Sequence, residues 1–555
     1  MQIITATQLP GDLARAGEVA GVLIKYGLAG WLKDTGWEPV RRVLTSHSGQ
    51  VLTDQPFAVR VRLALTDLGT TFIKLGQVLS TRPDLVGPDV AHELAHLRSG
   101  TPADPTDVAM ATITSELARP INECFSEIAP DALASASVAQ VHRATLLDGQ
   151  PVVVKVQHPD IETRIRRDLN ILANLAALAE RREELRRYEP TAVVREFRQT
   201  MLRELDFRRE MSNLQQFRKN FADDETVVFP KPYEELTTNR VLTMDYLEGT
   251  SVSDVEVLRK ANVDLDEAAR RGARVFVQMI FRDGFYHADP HPGNILVLPD
   301  GRVSILDCGM VGRIDDELRD RIAELLLSAA EKDAERLGDV IAHVCHAPTD
   351  MDRAALSADL MELLEQYGKQ AVGNIDIGGA LTTVTRIIHE HKLIMPSRLS
   401  MLIKCLVLLE GTGKALSANF NLAELLEPYR MIYIKQQFSP KAWLRKAQRA
   451  RRDWQNLADS IPRDVAGLLD QFRRGKFAVR LSHHNLETSV NRMVTGLICS
   501  ALLLSSALMW SREVPPTIHG VSVLGVLGYL TAIFLGVRLL LQIHYAERAR
   551  RREEE

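Results

Sequence analysis

The chain has 555 residues, of which 45% are hydrophobic and 25% are charged, a composition typical of globular proteins. This length exceeds one ordinary hydrophobic core, so we expect two domains and an appendage. The five scattered cysteines form no CxxC pair, which argues against a structural zinc cluster or a disulfide framework. A net charge of −4 and the lack of a recognisable nucleic-acid module argue against nucleic-acid binding.

An amphipathic helix is predicted early in the chain, because apolar residues recur there at three- and four-residue steps. These residues are Leu65, Leu68, Phe72, Leu75 and Leu79. We expect the helix to end at Pro83, with Lys74 and Gln77 together on its polar face. A polar face can also be simply solvated, and that alternative stays open.

Four small residues stand where a kinase would have its glycine-rich phosphate loop. They are Ala134, Ser135, Ala136 and Ser137. Alanine restricts φ more than glycine does, so backbone amides should lie less freely over phosphates, and nucleotide handling should differ. An ordinary small-residue turn is the alternative.

The β-branched run at residues 151–156 predicts a strand of the V-A-I-K type. Alternation along a strand puts Val152, Val154 and Val156 on one face and Lys155 on the other. Lys155 is therefore the candidate phosphate-binding lysine. A solvated edge lysine is the alternative.

A charged segment at residues 197–217 is predicted to be helical and contains Glu204 and Glu210. Either glutamate is a candidate partner for Lys155 or for Lys74, and the sequence does not choose between them. Pairing with neighbouring arginines on the helix surface is the remaining alternative.

The short strand predicted at residues 240–244 has the position of the last small-lobe strand before a hinge. We therefore expect Met244 to be the gatekeeper and Asp245 and Leu247 to lie at the adenine. An apolar strand residue is equally typical of a core.

The most informative stretch, residues 287–294, reproduces the kinase catalytic-loop spacing H-x-D-x-x-x-x-N. Asp289 and Asn294 stand at its two ends, so the carboxylate can face the attacking group while the amide oxygen turns to a metal. A strand is predicted before Asp307, and Gly309 allows a sharp exit from it. Mg²⁺ prefers hard oxygen ligands, so we predict that Asn294 and Asp307 bind Mg²⁺ and that Asp289 is catalytic. The sequence thus predicts ATP chemistry.

Together these motifs resemble those of the UbiB family of atypical, protein-kinase-like proteins, which is linked to ubiquinone (coenzyme Q) biosynthesis. The family's K-x-G-Q signature matches residues 74–77, its alanine-rich loop matches residues 134–137, and its E-x-D motif matches residues 204–206. The resemblance covers roughly residues 55–430. It implies an α+β, protein-kinase-like two-lobe fold with ATP or ADP and Mg²⁺ as cofactors, in which Lys155 binds phosphate.

The resemblance also implies that the K-x-G-Q helix lies over the mouth of the active site, where a protein substrate would otherwise enter. Such a cover favours ATP hydrolysis, or phosphorylation of a small or lipid-like substrate, over protein phosphorylation. Two residues depart from the family pattern. Ser135 stands where alanine is usual, and Cys308 replaces the phenylalanine of D-F-G, so we do not extend the family's nucleotide preference or a phenylalanine switch to this chain.

Two apolar stretches near the C-terminus, residues 493–510 and 517–537, each have about the length needed to cross a hydrocarbon core. A Pro-Pro pair separates them and predicts a transmembrane hairpin, for which a buried soluble helical pair is the alternative. A small-residue face of the kind that packs helices in lipid supports the hairpin. It consists of Gly528, Ala532 and Gly536.

The charges flanking this hairpin predict its orientation. Residues 435–492 hold thirteen Lys or Arg against five Asp or Glu, and the tail after Val537 is also basic, so both flanks belong on the cytoplasmic side. The apolar stripe in residues 461–472 is typical of a helix on anionic lipid, although a solvated linker helix fits equally well. The N-terminus lacks the features of a secretory signal. We expect a bacterial-type inner-membrane protein with two transmembrane helices and a cytoplasmic catalytic part.

The predicted division has seven parts. They are an N-terminal helical region (1–130), a β-rich small lobe (131–244), a helical large lobe (245–340), a helical extension (341–430), a basic amphipathic linker (431–492), the transmembrane hairpin (493–541) and a charged tail (542–555).

The predicted function is that of a membrane-anchored, Mg²⁺-dependent, kinase-like ATPase or small-molecule kinase that supports ubiquinone biosynthesis. A protein kinase acting on membrane-associated proteins and a nucleotide-gated scaffold without turnover are the alternatives. Candidate partners are membrane lipids, quinone precursors, other quinone-biosynthesis proteins and a second copy of the chain.

Overall fold

A computed structural model describes residues 9–28, 55–97, 101–345, 347–348, 351–368, 376–437, 486–512, 514–518 and 521–553. The chain divides into two compact units, Met1–Arg445 and Lys446–Glu555. The apolar stripe predicted at 461–472, and most of the basic linker around it, lie outside the described residues.

The first part of the chain is helical. Its helices are α1 Leu9–Lys25, α2 Phe57–Leu68, α3 Thr70–Leu79, α4 Pro83–Val86, α5 Pro88–Leu94 and α6 Thr106–Leu117. The single amphipathic helix predicted up to Pro83 is wrong, because Gly69 has a φ of 89° and separates α2 from α3. This left-handed conformation costs glycine little and ends the first helix. Leu68 and Phe72 are nevertheless both buried, on the two sides of the break.

The small lobe is built on an antiparallel sheet in the order β1-β2-β3-β5. Its elements are β1 Phe125–Ser135, β2 Ala139–Leu146, β3 Pro151–Gln157, α7 Ile161–Ala179, α8 Glu183–Arg186, α9 Pro190–Glu204, α10 Phe207–Asn220, β4 Val227–Val228 and β5 Val241–Asp245. The lobe boundary predicted at residue 131 falls inside β1. The charged segment predicted as one helix is two helices, because the Asp206 carboxylate accepts the Arg208 N–H and caps α10.

Strand β3 separates two cores. Val152 and Val154 are fully buried in a cluster that includes Ile113 of α6. Val153 belongs to the opposite cluster, which contains Phe207 and extends into the large lobe. The alternation predicted for this strand is confirmed, and it places Lys155 on the same side as Val153.

The large lobe contains short strands as well as helices. Its elements are β6 Thr250–Ser251, α11 Val255–Lys260, α12 Leu265–Gln278, β7 Phe285–His287, β8 Ile295–Val297, β9 Val303–Ile305, β10 Val311–Arg313, α13 Asp316–Glu331 and α14 Ala334–Val344. A second sheet has the order β4-β9-β8-β6, and β10 pairs with β7. The predicted helical lobe therefore also carries a sheet, which holds both catalytic segments.

A helical extension follows the large lobe. It consists of α15 Arg353–Gly368, α16 Ile377–Glu390, α17 Ser397–Leu416 and α18 Leu422–Gln437. The N-terminal region attaches to this extension through a buried pair in which Arg82 lies 2.8 Å from Asp84. Arg82 also donates to the Met395 carbonyl, and the Met395 N–H donates to Asp84. These hydrogen bonds satisfy both buried charges, so the contact joins the two regions at a defined place.

The second unit contains a helical pair. Its elements are α19 Leu486–Ser511, β11 Thr517–Ile518, β12 Val521–Ser522 and α20 Val523–Glu553. The second apolar stretch begins in the short strand pair rather than in a helix, and α20 continues past the predicted end at Val537. Among the described residues, one helical stretch, Met493–Ser511, has the length and composition to cross a membrane, while the apolar part of α20, Val523–Leu539, is shorter. The second predicted transmembrane helix is therefore not established.

Only part of the predicted small-residue face of α20 is packed against other residues. A side chain at Gly528 would collide with Ser506 of α19, and Ala532 is 1% exposed. Gly536, in contrast, has open space around it. Two of the three small residues thus allow the helices to approach closely.

Candidate nucleotide site

Lys155 lies in the middle of the small-lobe sheet, opposite Val141 of β2 and Leu242 of β5. Its Nζ is 3.0 and 2.9 Å from the two carboxylate oxygens of Glu210 in α10, and it lies over the ring of Phe207. Of the two candidate glutamates, Glu210 is therefore the partner of Lys155. This lysine–glutamate pair is the arrangement that orients a lysine toward nucleotide phosphates in kinases.

Asp307 shares this ammonium, with its Oδ1 3.8 Å from Lys155 Nζ. Burial alone would lower the pKa of Lys155, but Asp307 and Glu210 outweigh it and raise that pKa. Lys155 in turn holds the pKa of Asp307 well below its usual range. The Glu210 side chain is only 5% exposed, against 51% for Asp307. Burial raises the pKa of Glu210 to about 7, so one ammonium serves two unequal carboxylates.

This raised pKa predicts a pH dependence of stability in nucleotide-free protein. The folded protein binds the Glu210 proton up to about pH 7, whereas the ordinary glutamate value is 4.5. The stability contribution of this proton is present at low pH and is lost as pH rises through about 7. We expect the Tm of wild type minus that of Glu210→Gln, measured by thermal unfolding, to decrease as the pH rises from 4.5 to about 7. A pH-independent difference would contradict the raised pKa.

The catalytic loop is held by His287. One ring nitrogen, Nε2, donates to the Asp307 carbonyl, and the other, Nδ1, accepts the Asp289 N–H at 3.2 Å. The Leu306 N–H donates to the Asn294 carbonyl at 3.0 Å. The histidine of the H-x-D spacing thus connects the catalytic loop to the D-x-G segment through backbone groups.

The residues present suit a magnesium ion that also binds nucleotide phosphates. Asn294 donates its side-chain N–H to the Asp289 carbonyl at 3.4 Å, so its amide oxygen remains as an acceptor. Asp307 keeps an ionised carboxylate, whose Oδ1 accepts the Gly309 N–H at 3.0 Å. No group of three or more His, Cys, Asp or Glu side chains suited to a metal occurs in the described part of the chain. A site with two protein ligands fits Mg²⁺, which keeps waters and takes substrate phosphates.

The K-x-G-Q helix α3 contributes a second lysine–glutamate pair. Lys74 Nζ lies 2.5 Å from Glu204 Oε1. Burial lowers the pKa of Lys74, but Glu204, Asp307 and Asp289 together raise it above its ordinary value. The structure thus pairs each candidate lysine with a different candidate glutamate, and Lys74 lies within the field of both site aspartates.

The other two residues of the K-x-G-Q signature pack this helix. Gln77 donates to the Leu97 carbonyl at 3.2 Å. A Cβ at Gly76 would collide with the ends of the Leu97 and Leu65 side chains, which would have to move to admit it. Gly76 therefore allows the close approach that keeps α3 in place.

The alanine-rich segment is only partly a loop. Ala134 and Ser135 end strand β1, pairing with Val141 and Gln140, and the turn itself begins at Ala136. Ser135 Oγ is shielded from solvent and has no hydrogen-bond partner among the described residues. Ser137 is buried within the turn.

His158 holds this turn in place through hydrogen bonds to its backbone. Its ring contacts the Ala136 carbonyl at 2.9 Å and Asp104 Oδ2 at 2.6 Å, and the His158 backbone N–H donates to the Val138 carbonyl. Sequence reasoning missed His158 and Asp104, although a histidine directly after the lysine strand was visible. Two of these contacts, to the Ala136 and Val138 carbonyls, hold the segment expected to lie over the phosphates, and the third orients the His158 ring against Asp104.

The residues predicted to form the hinge lie at or just after the end of β5, the strand that pairs with β3. Met244 is buried and lies opposite Val153. The Asp245 carboxylate accepts hydrogen bonds from Tyr233 Oη at 2.9 Å and from the Lys231 N–H. Leu247 is half-buried.

Asp289 has a partner that sequence reasoning also missed. Lys404 of α17 lies 3.5 Å from Asp289 Oδ1. No local motif marks Lys404, because it belongs to the helical extension far along the chain. Cys308, in the phenylalanine position of D-F-G, is fully buried, and burial raises the pKa of its thiol. A small buried side chain leaves no aromatic group there to move.

The small lobe has a lysine–glutamate pair between a sheet and a helix, next to the D-x-G aspartate, and the large lobe supplies the catalytic-loop aspartate. This combination defines a protein-kinase-like protein. The chain matches the ABC1 atypical kinase-like domain over residues 96–341, the UbiB helical domain over residues 360–421 and the ABC1/UbiB kinase-like C-terminal domain over residues 480–545. The chain belongs to the UbiB family of atypical kinase-like proteins.

Its relatives include two proteins named probable protein kinase UbiB. The one from Pseudomonas aeruginosa (strain UCBPP-PA14) is 35% identical over 417 residues, which cover 74% of this chain and 78% of the relative. The one from Actinobacillus pleuropneumoniae serotype 7 is 33% identical over 467 residues, covering 81% and 86%. Among solved structures, the complex of Rv3197 with erythromycin from Mycobacterium tuberculosis is 22% identical and covers 65% of this chain and 93% of that chain, with a TM-score of 0.45.

Proposed function

We propose that this chain is a Mg²⁺-dependent, kinase-like ATPase or small-molecule kinase that supports ubiquinone biosynthesis at a membrane. The observation that carries the proposal is the position of Lys74. Its ammonium pairs with Glu204 and interacts electrostatically with Asp289 and Asp307. Helix α3, which lies outside the kinase lobes, therefore adds a positive charge to the candidate active site.

Each residue has a distinct task in this proposal. Lys155, oriented by Glu210, binds the nucleotide phosphates, and Asn294 with Asp307 would hold Mg²⁺. When bound, Mg²⁺ would neutralise phosphate charge. Asp289 faces the attacking water or hydroxyl and accepts its proton. His287 keeps Asp289 and Asp307 at a constant separation through the backbone of both segments.

The covering helix favours a small acceptor. Lys74 connects α3 to Glu204 of the small lobe, and the Arg82–Asp84 pair connects the following turn to Met395 of the helical extension. A cover attached on both sides leaves water or a small hydroxyl compound as the acceptor that can approach Asp289. The relatives' name, probable protein kinase, favours the protein-kinase alternative, but a folded protein segment would have to displace α3 first.

The membrane location and the biosynthetic pathway in this proposal are supported by separate observations. The stretch Met493–Ser511 has the length and composition of a transmembrane helix, and long-tailed quinone precursors partition into lipid. A role in ubiquinone biosynthesis is inferred from the name UbiB that the relatives carry. Anionic lipids, quinone precursors and other quinone-biosynthesis proteins are the partners this proposal implies, in a bacterial-type inner membrane with two crossings and a cytoplasmic catalytic part. A second copy of the chain is a further candidate partner, and nucleic acid is not one.

The decisive experiment measures ATP turnover by the purified full-length protein. Mg·ATP would be supplied with and without anionic liposomes and a phenol that resembles the quinone head group. We expect ADP release that depends on Mg²⁺ and increases with both additions, and a phosphorylated phenol would distinguish a kinase from an ATPase. Mg·ATP binding without any turnover would instead favour a nucleotide-gated scaffold.

Removal of the second unit tests the membrane part of the proposal. A chain truncated after Arg445, the end of the first compact unit, should bind Mg·ATP but no longer sediment with anionic liposomes or support quinone production. In the full chain, a cysteine probe in residues 511–516 should label from outside the inner membrane, and one after residue 547 only from inside. Labelling of both from the cytoplasm would exclude the hairpin.

A further inference from the structure

We propose that Lys404 is an additional catalytic residue, whose ammonium contacts the γ-phosphoryl group of bound ATP; this inference rests on the proposed function. Lys404 lies on α17, in the helical extension, and none of the kinase motifs includes it. Its Nζ is 3.5 Å from Asp289 Oδ1, which places a positive charge beside the catalytic-loop carboxylate.

Helix α17 is fixed against the catalytic loop by two hydrogen bonds. The Cys405 thiol donates to the His287 carbonyl at 3.4 Å, and the Thr412 hydroxyl donates to the Pro290 carbonyl at 3.4 Å. These carbonyls flank Asp289 on both sides. The residue next to Cys405 is Lys404, so its backbone position relative to Asp289 is set by the fold.

A third contact fixes the same helix against the cover. The Ser400 hydroxyl donates to the Thr81 carbonyl at 2.5 Å, in the turn that follows α3. Residues four apart share a helix face, so Ser400 and Lys404 point the same way. Lys404 therefore lies where the cover, the extension and the catalytic loop meet.

The surroundings of Lys404 limit where its side chain can go. Its neighbours Ile403, Cys405 and Leu406 are buried, and its own side chain is 24% exposed. An ammonium has three donors and no acceptor, and the contact to Asp289 uses at most one of them. At 3.5 Å this contact is longer than a close hydrogen bond, so donors remain for phosphoryl oxygens.

The order of groups along the site identifies the phosphate that Lys404 meets. Lys155 of the lysine strand faces the α and β phosphates in a kinase-type site, and the catalytic-loop aspartate faces the group being attacked. The loop from Asp289 to Asn294 contains no lysine or arginine. Phosphoryl transfer spreads negative charge over the equatorial oxygens, and a fixed cation beside Asp289 would stabilise that charge.

The test compares Lys404→Met, Lys404→Arg and a matched control, Arg398→Met, in the full-length protein. Arg398 is also a cation of α17 paired with an aspartate, Asp315 at 2.5 Å, but it is 69% exposed and outside the site. The measurements are kcat and KM for Mg·ATP turnover, Kd for Mg·ATP and for Mg·ADP, and thermal unfolding.

We expect Lys404→Met to lower kcat by about 100-fold, the lower end of what loss of one fixed transition-state donor costs. Its affinity for Mg·ATP relative to Mg·ADP should fall by about tenfold, because ADP lacks the contacted group. Lys404→Arg should recover most of both, and Arg398→Met should resemble wild type. Thermal unfolding should be similar in all four proteins.

The possible outcomes separate this inference from the proposed function. If wild type hydrolyses ATP and Lys404→Met leaves kcat and the ATP-to-ADP affinity ratio unchanged, the assignment of Lys404 is wrong and the proposed function stands. An equal loss of ATP and ADP affinity that arginine does not restore would mean a purely structural role and would also overturn the assignment. If wild type binds ATP without turnover, the proposed function fails and the affinity ratio alone decides Lys404. No Mg·ATP binding by wild type would overturn both.

Discussion

Replacing Asp307 by asparagine should abolish Mg·ATP turnover, with a loss of at least about 100-fold in kcat. The amide oxygen can still accept the Gly309 N–H, so the turn keeps its shape, but the charge that a divalent cation requires is gone. Mg²⁺-dependent nucleotide binding should weaken in the same variant. Turnover would be followed by phosphate release and binding by titration with and without Mg²⁺.

A control with the same chemical change is Asp300→Asn. Asp300 lies just before β9, the strand that leads to Asp307. It is exposed and pairs with Arg302, so its variant should retain turnover and Mg²⁺ dependence. The assignment of Asp307 as a metal ligand would be refuted if Asp307→Asn bound and hydrolysed Mg·ATP like wild type.

Loss of the Lys74–Glu204 pair should also have a large effect, because this pair holds the cover to the small lobe. Lys74→Met removes a cation from the field of Asp289 and Asp307 and frees α3 on one side. We expect altered nucleotide affinity, and we expect self-phosphorylation to appear as the acceptor side opens. Radiolabel from ATP incorporated into the protein itself would report the opening directly.

Glu204→Gln and the double variant extend this prediction. Each single change leaves a partly buried charge without its partner, so the double variant should lose less stability than the sum of the two, with a coupling of about 1–3 kcal/mol. Gln77→Ala should also loosen α3, because Gln77 donates to the Leu97 carbonyl. If Lys74 and Gln77 variants all behaved like wild type in turnover, self-phosphorylation and quinone production, the polar face of α3 would have no catalytic role.

The predicted single helix at residues 197–217 could not show which glutamate pairs with Lys74 and which with Lys155. Asp206 caps α10, so Glu204 and Glu210 lie on two different helices and reach two different lysines. A capping aspartate can be recognised in a sequence, but the direction in which the next helix leaves depends on packing against the sheet. Gly69 has the same effect in the cover, where it divides the predicted helix and lets both parts bury their apolar faces.

The features of this protein that can be predicted from its sequence are local. Loop length fixes the separation of Asp289 and Asn294, and strand alternation puts Lys155 on the face opposite Val152 and Val154, because both depend on bond geometry over a few residues. The pairing of each glutamate with its lysine, and the position of Lys404 beside Asp289, depend on the tertiary fold. Those contacts join segments far apart in the chain, and their geometry comes from how buried faces pack, which no local spacing encodes.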